Sequence, residues 1–254
     1  MSKPFRVLSI DFDYFQNVTE QTLSKYPDGC DMGTHISECV WASRYSEKPE
    51  LYGVSLPKEA FDLMCGIVMQ QDRTCPAMIV NSHKHIYDFI KDCIADGEYD
   101  SLHIVNVDMH HDVCNDNETL DCGNWGIRLH EDILPTSIEW VYPPVAEKVF
   151  CSYRHVLFDA ETFDTVVTET HDSLLDVQRQ QFDAIFLCRS DMWLAPHLDK
   201  WFSVLAQVVL ASFDNVCGEE QVLQPRHDYK ALARKYRKQI IRLREQYETE
   251  AKVV

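Results

Sequence analysis

The sequence predicts a three-layer α/β/α domain built on a mainly parallel sheet. Three observations carry that prediction. Short apolar runs bounded by polar residues recur along the 254 residues, as expected of strands covered on both faces. Stretches with apolar residues at helical spacing lie between them. Each conspicuous cluster of aspartate and histidine follows one of the apolar runs, and in parallel α/β sheets ligands bind beyond the carboxyl ends of the strands.

In chain order, residues 5–10 read as the first strand, ending at Asp11. Residues 58–70 carry a helical pattern, and 77–80 form a second strand ending at Asn81. A helix over 86–95 leads to a third strand, 101–107, ending at Asp108. Residues 139–142 and 149–151 are weaker strand candidates. A further strand, 184–188, ends near Asp191 and is followed by a helix over 198–212. Past Pro225 the composition changes. Residues 229–252 are charge-rich, with Leu232, Tyr236, Ile240, Leu243 and Tyr247 spaced as one stripe on a long helix. The expected organisation is therefore a catalytic domain over 1–225 and a charged C-terminal helical extension over 226–254. That helix either docks on its own domain or joins copies into a homo-oligomer.

Composition excludes several classes. A net charge of −17 argues against nucleic acid as a partner, because phosphate contacts need a positive face. No apolar stretch approaches the roughly 20 residues that cross a bilayer. No charged start followed by an apolar run marks a secretory leader, so the expected location is cytoplasmic. The ten cysteines are scattered without a CxxC pair, which suits a reducing compartment and free thiols. No P-loop, Gly-rich dinucleotide turn or GxSxG elbow is present, and eight glycines provide poorly for phosphate loops.

Four clusters bear chemistry. In Asp108-Met109-His110-His111-Asp112, Asp108, His110 and Asp112 converge if the chain stays extended. Carboxylate oxygen mixed with imidazole nitrogen suits Mn²⁺ or Zn²⁺ better than Ca²⁺. Asp11 and Asp13 close the first strand, and their oxygens can be shared by two ions. His83 and His85 compete to supply a further nitrogen ligand. Asp191 has three open roles: metal ligand, anchor for a cationic substrate, or partner of Arg189. Asp11, Asp13, His83, Asp108, His110 and Asp112 together exceed what one tetrahedral zinc needs. They match two divalent ions about 3.5 Å apart that activate water.

Asp108 to Asp112 resembles the DxHxD motif of the arginase and ureohydrolase family, and Ser9-Ile10-Asp11-Phe12-Asp13 resembles its SxDxD motif. The metal-dependent deacetylases of the same fold are more distantly similar. His83 looks like the histidine that precedes DxHxD. Cys122-Gly123-Asn124-Trp125-Gly126 stands where arginases keep a substrate loop. The SxDxD strand comes first here and late in arginases, a permuted strand order. The short chain, the early Asp11-Phe12-Asp13-Tyr14-Phe15 and the DMHHD cluster are most similar to the peptide arginases, which convert arginine side chains of ribosomal peptides to ornithine.

The resemblance implies an arginase-like fold and a cytoplasmic hydrolase of linear amidines. It holds two divalent ions, Mn²⁺ first among them, and takes an arginine-containing precursor peptide as partner, releasing urea. It implies Asp108 and Asp11 as bridging carboxylates, with His83 and Asp112 completing one ion and His110 and Asp13 the other. Asp191 is then assigned to the substrate guanidinium, with Asn124 and Trp125 in the substrate loop. Trp125-Gly126 replaces the family's proton-shuttling histidine, so His111 or His130 is expected to take that role. A free guanidino or acylamino compound is the alternative substrate, and an acidic metal-binding scaffold the non-enzymatic alternative.

Overall fold

The structure is a computed structural model, and it describes residues 3–27, 33–95, 97, 99–114, 119–151, 160–218, 220–226, 231 and 234. Its centre is a seven-stranded sheet in the order β5-β4-β3-β1-β6-β2-β7. The strands are β1 (Pro4–Asp11), β2 (Ala77–Val80), β3 (Ser101–Val107), β4 (Thr136–Val141), β5 (Val167–His171), β6 (Ala184–Cys188) and β7 (Val216–Gly218). Every neighbouring pair within it is parallel. β6 is buried along its whole length, and β1 and β3 are nearly so, which explains their unbroken apolar runs.

Helices Lys58–Met69 and Asp199–Ser212 pack together as one layer. Helices Ile86–Ile94, Trp125–Asp132 and Ala160–Val166 form the other. The two layers grip the sheet through large side chains. Phe12 meets Phe61 and Phe202 edge-on, while Phe89 lies against Phe186.

Several elements differ from the sequence expectation. Residues 149–151 are not a strand but lie in the π-helical turn Glu147–Cys151. β5 was not foreseen because three of its five residues are exposed, so it carries no apolar run. β7 is a three-residue edge strand ending in Gly218, where a Cβ would stand 2.0 Å from the Ile79 carbonyl oxygen. Only glycine fits that approach. Helix Thr34–Glu47 was also unforeseen; it buries Ser37 and Glu38 beside Trp41, Ala42 and Tyr45, so its inner face is not an apolar stripe. The expected C-terminal helix, 229–252, lies outside the described residues except for Ala231 and Arg234. Arg226, placed by sequence in the extension, is 6% exposed and bonded to Asp199, Asp191 and Leu194 of the domain. Among the described residues, no helix is long and apolar enough to cross a membrane. Cys39, Cys65, Cys75, Cys93, Cys114, Cys122, Cys188 and Cys217 are free thiols.

The chain runs out from β1 in both directions. β3, β4 and β5 stack on one side, and β6, β2 and β7 on the other. The carboxyl ends of β1 and its two neighbours are therefore the point where strand order reverses, the usual place for a ligand crevice in an open parallel sheet.

Candidate metal centre

Register brings the clusters together. Ile10 pairs with Val107, so Asp11 and Asp108 leave the sheet side by side. Asp11 pairs with Cys188, and Val80 with the same Cys188, which sets the segments after β2 and β6 against Asp11. Neither acidic segment stays extended. After Asp11 the chain enters a one-turn 3₁₀ helix, Phe12–Phe15, with the Asp13 amide donating to Asp11 Oδ1 at 3.3 Å. After Asp108 it bends, the His110 amide donating to Asp108 Oδ1 at 2.8 Å. Asp112 then adopts a left-handed conformation, φ 57°, which aspartate tolerates better than most residues. Bends therefore replace the extended course expected from strand alternation, setting His110 beside Asp108 and Asp13, and Asp112 beside His83.

The result is two groups that share Asp108. Asp11, His83 and Asp108 offer ligand atoms within 4.8 Å of one another, and so do Asp13, Asp108 and His110. His83 Nδ1 lies 3.2 Å from Asp11 Oδ2, 3.1 Å from Asp108 Oδ2 and 2.9 Å from Asp112 Oδ2. Its Nε2 is held by Ser9 Oγ at 2.7 Å, which fixes the ring with Nδ1 toward the carboxylates. His110 Nδ1 is 3.2 Å from Asp13 Oδ2 and 3.6 Å from Asp108 Oδ1. His83, not His85, is therefore the histidine of this cluster.

Four aspartates and an imidazole, all nearly sealed from solvent, are costly unless something balances them. Burial pushes Asp11 and Asp112 up to about 7, and the neighbouring Asp108 charge adds to both shifts. Burial likewise pushes Asp13 to about 6. Burial also acts upward on Asp108, but the close approach and charge of His110 and His83 outweigh it and hold this carboxyl below its usual range. Burial disfavours the charged forms of His83 and His110, yet the surrounding carboxylates raise both well above an ordinary histidine.

The donor set fits divalent cations. Asp13 Oδ2 and His83 Nδ1 are buried without a hydrogen bond, although ionisable partners stand within ion-pair distance of each. Buried polar atoms are normally satisfied. Here each is aimed at the other ligands, as atoms are that share a cation. Oxygen with imidazole nitrogen is the ligand mixture of Mn²⁺, Fe²⁺ and Zn²⁺ sites. Two clustered His/Asp groups thus provide positions for two divalent ions in a parallel α/β/α sheet, an arrangement consistent with ureohydrolase architecture in general.

A cavity of about 130 Å³ opens onto this cluster. Asp11, His83, His110, Asp112 and Ser190 form its metal-side wall, and His111, Cys114, Cys122, Gly123 and Trp193 the outer one. His111 meets Trp140 and Phe163 edge-on and accepts from the Val113 amide at Nδ1, 3.2 Å. In a neutral ring that leaves the proton on Nε2. Burial lowers its pKa to about 4.

Three expected substrate contacts are placed otherwise. Asp191 is 1% exposed and gives both oxygens to Arg189, with Nη2 at 3.1 Å. Burial acts upward on its carboxyl, but Arg226 and Arg189 hold it low. Its carboxylate is committed to the fold, and it does not line the cavity. Asn124 is fully buried, accepting from the Asp121 amide and donating to the Thr119 carbonyl, both 2.8 Å, so it staples its own loop. Trp125 is fully buried and donates through Nε1 to Asp112 Oδ2 at 2.7 Å. Gly126 makes this possible: a Cβ there would lie 2.8 Å from Ile138 and Val113 side-chain carbons. His130 Nδ1 receives the Thr136 amide at the far end of its helix, outside the cavity wall.

Ser9, Asn106, Ser190 and Trp193 were given no role from the sequence, although Ser9 stands in the SxDxD motif. Asn106 donates to Asp108 Oδ2 at 3.3 Å. Ser9 and Asn106 each stand two residues before a cluster aspartate, on the same side of the strand. A polar residue at that offset inside an apolar run was the available signal. Ser190 and Trp193 had none, because a turn aims them. No protein-family model matches the chain, and no curated protein or solved structure matches it either.

Proposed function

We propose that this protein is a binuclear-metal hydrolase of C–N bonds that converts arginine residues of a peptide to ornithine with release of urea. The observation that carries the hydrolase reading is the pair of Asp/His groups sharing Asp108 at the floor of a cavity. The motif resemblance at Asp11 to Asp13 and Asp108 to Asp112 carries the arginine reading.

Asp108, common to both groups, would bridge the two ions, and the motif resemblance assigns Asp11 as the second bridging carboxylate. His83 and Asp112 complete one position, His110 and Asp13 the other. The chemistry that two divalent cations, Mn²⁺ above all, supply there is Lewis-acid activation of water. The protein's own groups do the rest. Buried walls exclude bulk water, and the Trp193 ring offers an aromatic face on which a guanidinium plane can stack. His111, which lines the cavity and accepts the Val113 amide at Nδ1, is the group we assign to the departing side.

One observation favours a second reading. Asp191 is locked to Arg189, so among the described residues no carboxylate outside the ligand set lines the cavity to hold a cation. A neutral acylamino group would need none. The decisive experiment presents the Mn²⁺-loaded protein with an arginine peptide, free arginine and an acyl-lysine peptide. Urea release and a net mass loss of about 42 Da, the guanidine carbon with its two terminal nitrogens and two hydrogens, from the first substrate support the proposal. Acid release from the third alone would replace it with deacylation.

A further inference from the structure

Ser190 is a non-glycine residue with φ 56°, in the left-handed region. Serine gains nothing there from its own backbone preference, since glycine and asparagine are the residues that visit it readily. The surroundings impose the conformation. The Arg189 amide donates to the Val80 carbonyl at 2.9 Å and the Asp191 amide to the Asn81 carbonyl at 3.2 Å. The Arg189 guanidinium is tied to the Val222 and Gln224 carbonyls at 3.0 and 2.8 Å, besides Asp191. Trp193 and Leu194 amides close the turn onto the Ser190 carbonyl at 2.9 and 2.8 Å.

This fixed turn delivers one hydroxyl. Ser190 Oγ donates to Asp11 Oδ2 at 2.9 Å, the oxygen that faces His83 Nδ1 at 3.2 Å. The residue is 4% exposed and forms part of the cavity wall. Asp11 receives its other hydrogen bond on Oδ1, from the Asp13 amide at a long 3.3 Å. The hydroxyl is therefore the short contact that sets the rotation of a carboxylate assigned to bridge.

We propose that Ser190 is a positioning residue, holding Asp11 so that its lone pairs point at the cations, and that the left-handed turn after β6 exists to deliver its hydroxyl. This rests on the metal reading above, and the two can fail separately. Outer contacts of this kind are worth about ten- to a hundredfold in metal affinity. The test compares Ser190→Gly and Ser190→Ala by Mn²⁺ titration calorimetry and thermal unfolding with chelator. Both lack the hydroxyl, so both should bind Mn²⁺ at least about tenfold more weakly than the unaltered protein. Only the glycine variant relieves the backbone, so it should unfold at a higher temperature than the alanine variant. Mn²⁺ affinity within twofold of the unaltered protein in either folded variant overturns the assignment. Failure of the unaltered protein to bind Mn²⁺ overturns the metal reading instead, and this inference with it.

Discussion

Two buried charge clusters sit close together at the carboxyl edge of the sheet, and they are built on opposite rules. In the first, Arg226 donates to both oxygens of Asp199 at 2.8 and 2.6 Å. It also reaches the Leu194 carbonyl at 2.9 Å, while Arg189 pairs with Asp191. Each carboxylate has its own guanidinium, in the bidentate geometry that compensates desolvation best. In the second, Asp11, Asp13, Asp108 and Asp112 crowd around two histidines, and His83 Nδ1 and Asp13 Oδ2 lack hydrogen bonds. The carboxylates of both clusters are buried, so burial alone does not separate structure from function. Whether protein groups balance the charge does. The satisfied cluster fastens the segment after β6 to the chain at Arg226. The unsatisfied one is left for cations.

That contrast breaks if the largest expected effect is absent. Asp108 belongs to both metal groups, so Asp108→Asn should weaken binding of both ions by more than about a hundredfold, beyond what outer contacts are worth. Turnover should vanish with the metal. Atomic absorption on dialysed protein measures this, and a variant that keeps two tightly held ions would remove Asp108 from the centre. The satisfied cluster should answer oppositely. Arg226→Ala leaves Asp199 buried without its partner, and removing one member of a buried pair costs about 3–5 kcal/mol. Urea-induced unfolding should show that loss, while Mn²⁺ affinity of the fraction still folded stays near that of the unaltered protein. Lost metal affinity at unchanged stability would mean that the two clusters are one.

How legible each cluster was in the sequence follows from the same difference. The sheet could be read because β1, β3 and β6 are buried on both faces and so appear as apolar runs. β5 and helix Thr34–Glu47 could not, one being mostly exposed and the other burying Ser37 and Glu38. Asp11, Asp13, Asp108, His110 and Asp112 were legible because several ligand types together after a buried strand are hard to explain otherwise. Asp191 looked alike, as an acid past a strand end, and was assigned to substrate. Its fate is set by Arg226, 35 residues away in sequence, and by the Arg189 fork beside it. Pairings of that kind leave no local periodicity. Nor could spacing show that Trp125, placed by resemblance in a substrate loop, turns inward to Asp112.

The smallest expected effect sharpens the contrast through pH. Without metal, Asp11 and Asp112 titrate near 7 and Asp13 near 6, all raised from the usual 3.8 chiefly by burial. A raised folded-state pKa means the folded protein binds more protons than the unfolded chain. The contribution is present at low pH and is lost as pH rises through 6 to 7. His83 and His110, also raised, act in the same direction. Asp108 is lowered, so its contribution is lost only as pH falls below the usual carboxylate range, outside this window. Stability of chelator-treated protein should therefore fall between pH 5 and 8, by a few degrees in unfolding temperature for each ~1 kcal/mol lost. Cations need the carboxylates ionised and the imidazoles neutral, so their affinity rises over the same interval. With excess Mn²⁺ the unfolding temperature should rise where the metal-free one falls. Arg226 and Asp199 lie outside the ligand set, so divergence isolates the unsatisfied cluster. Parallel curves with and without Mn²⁺ would mean that its charges are balanced by the protein after all.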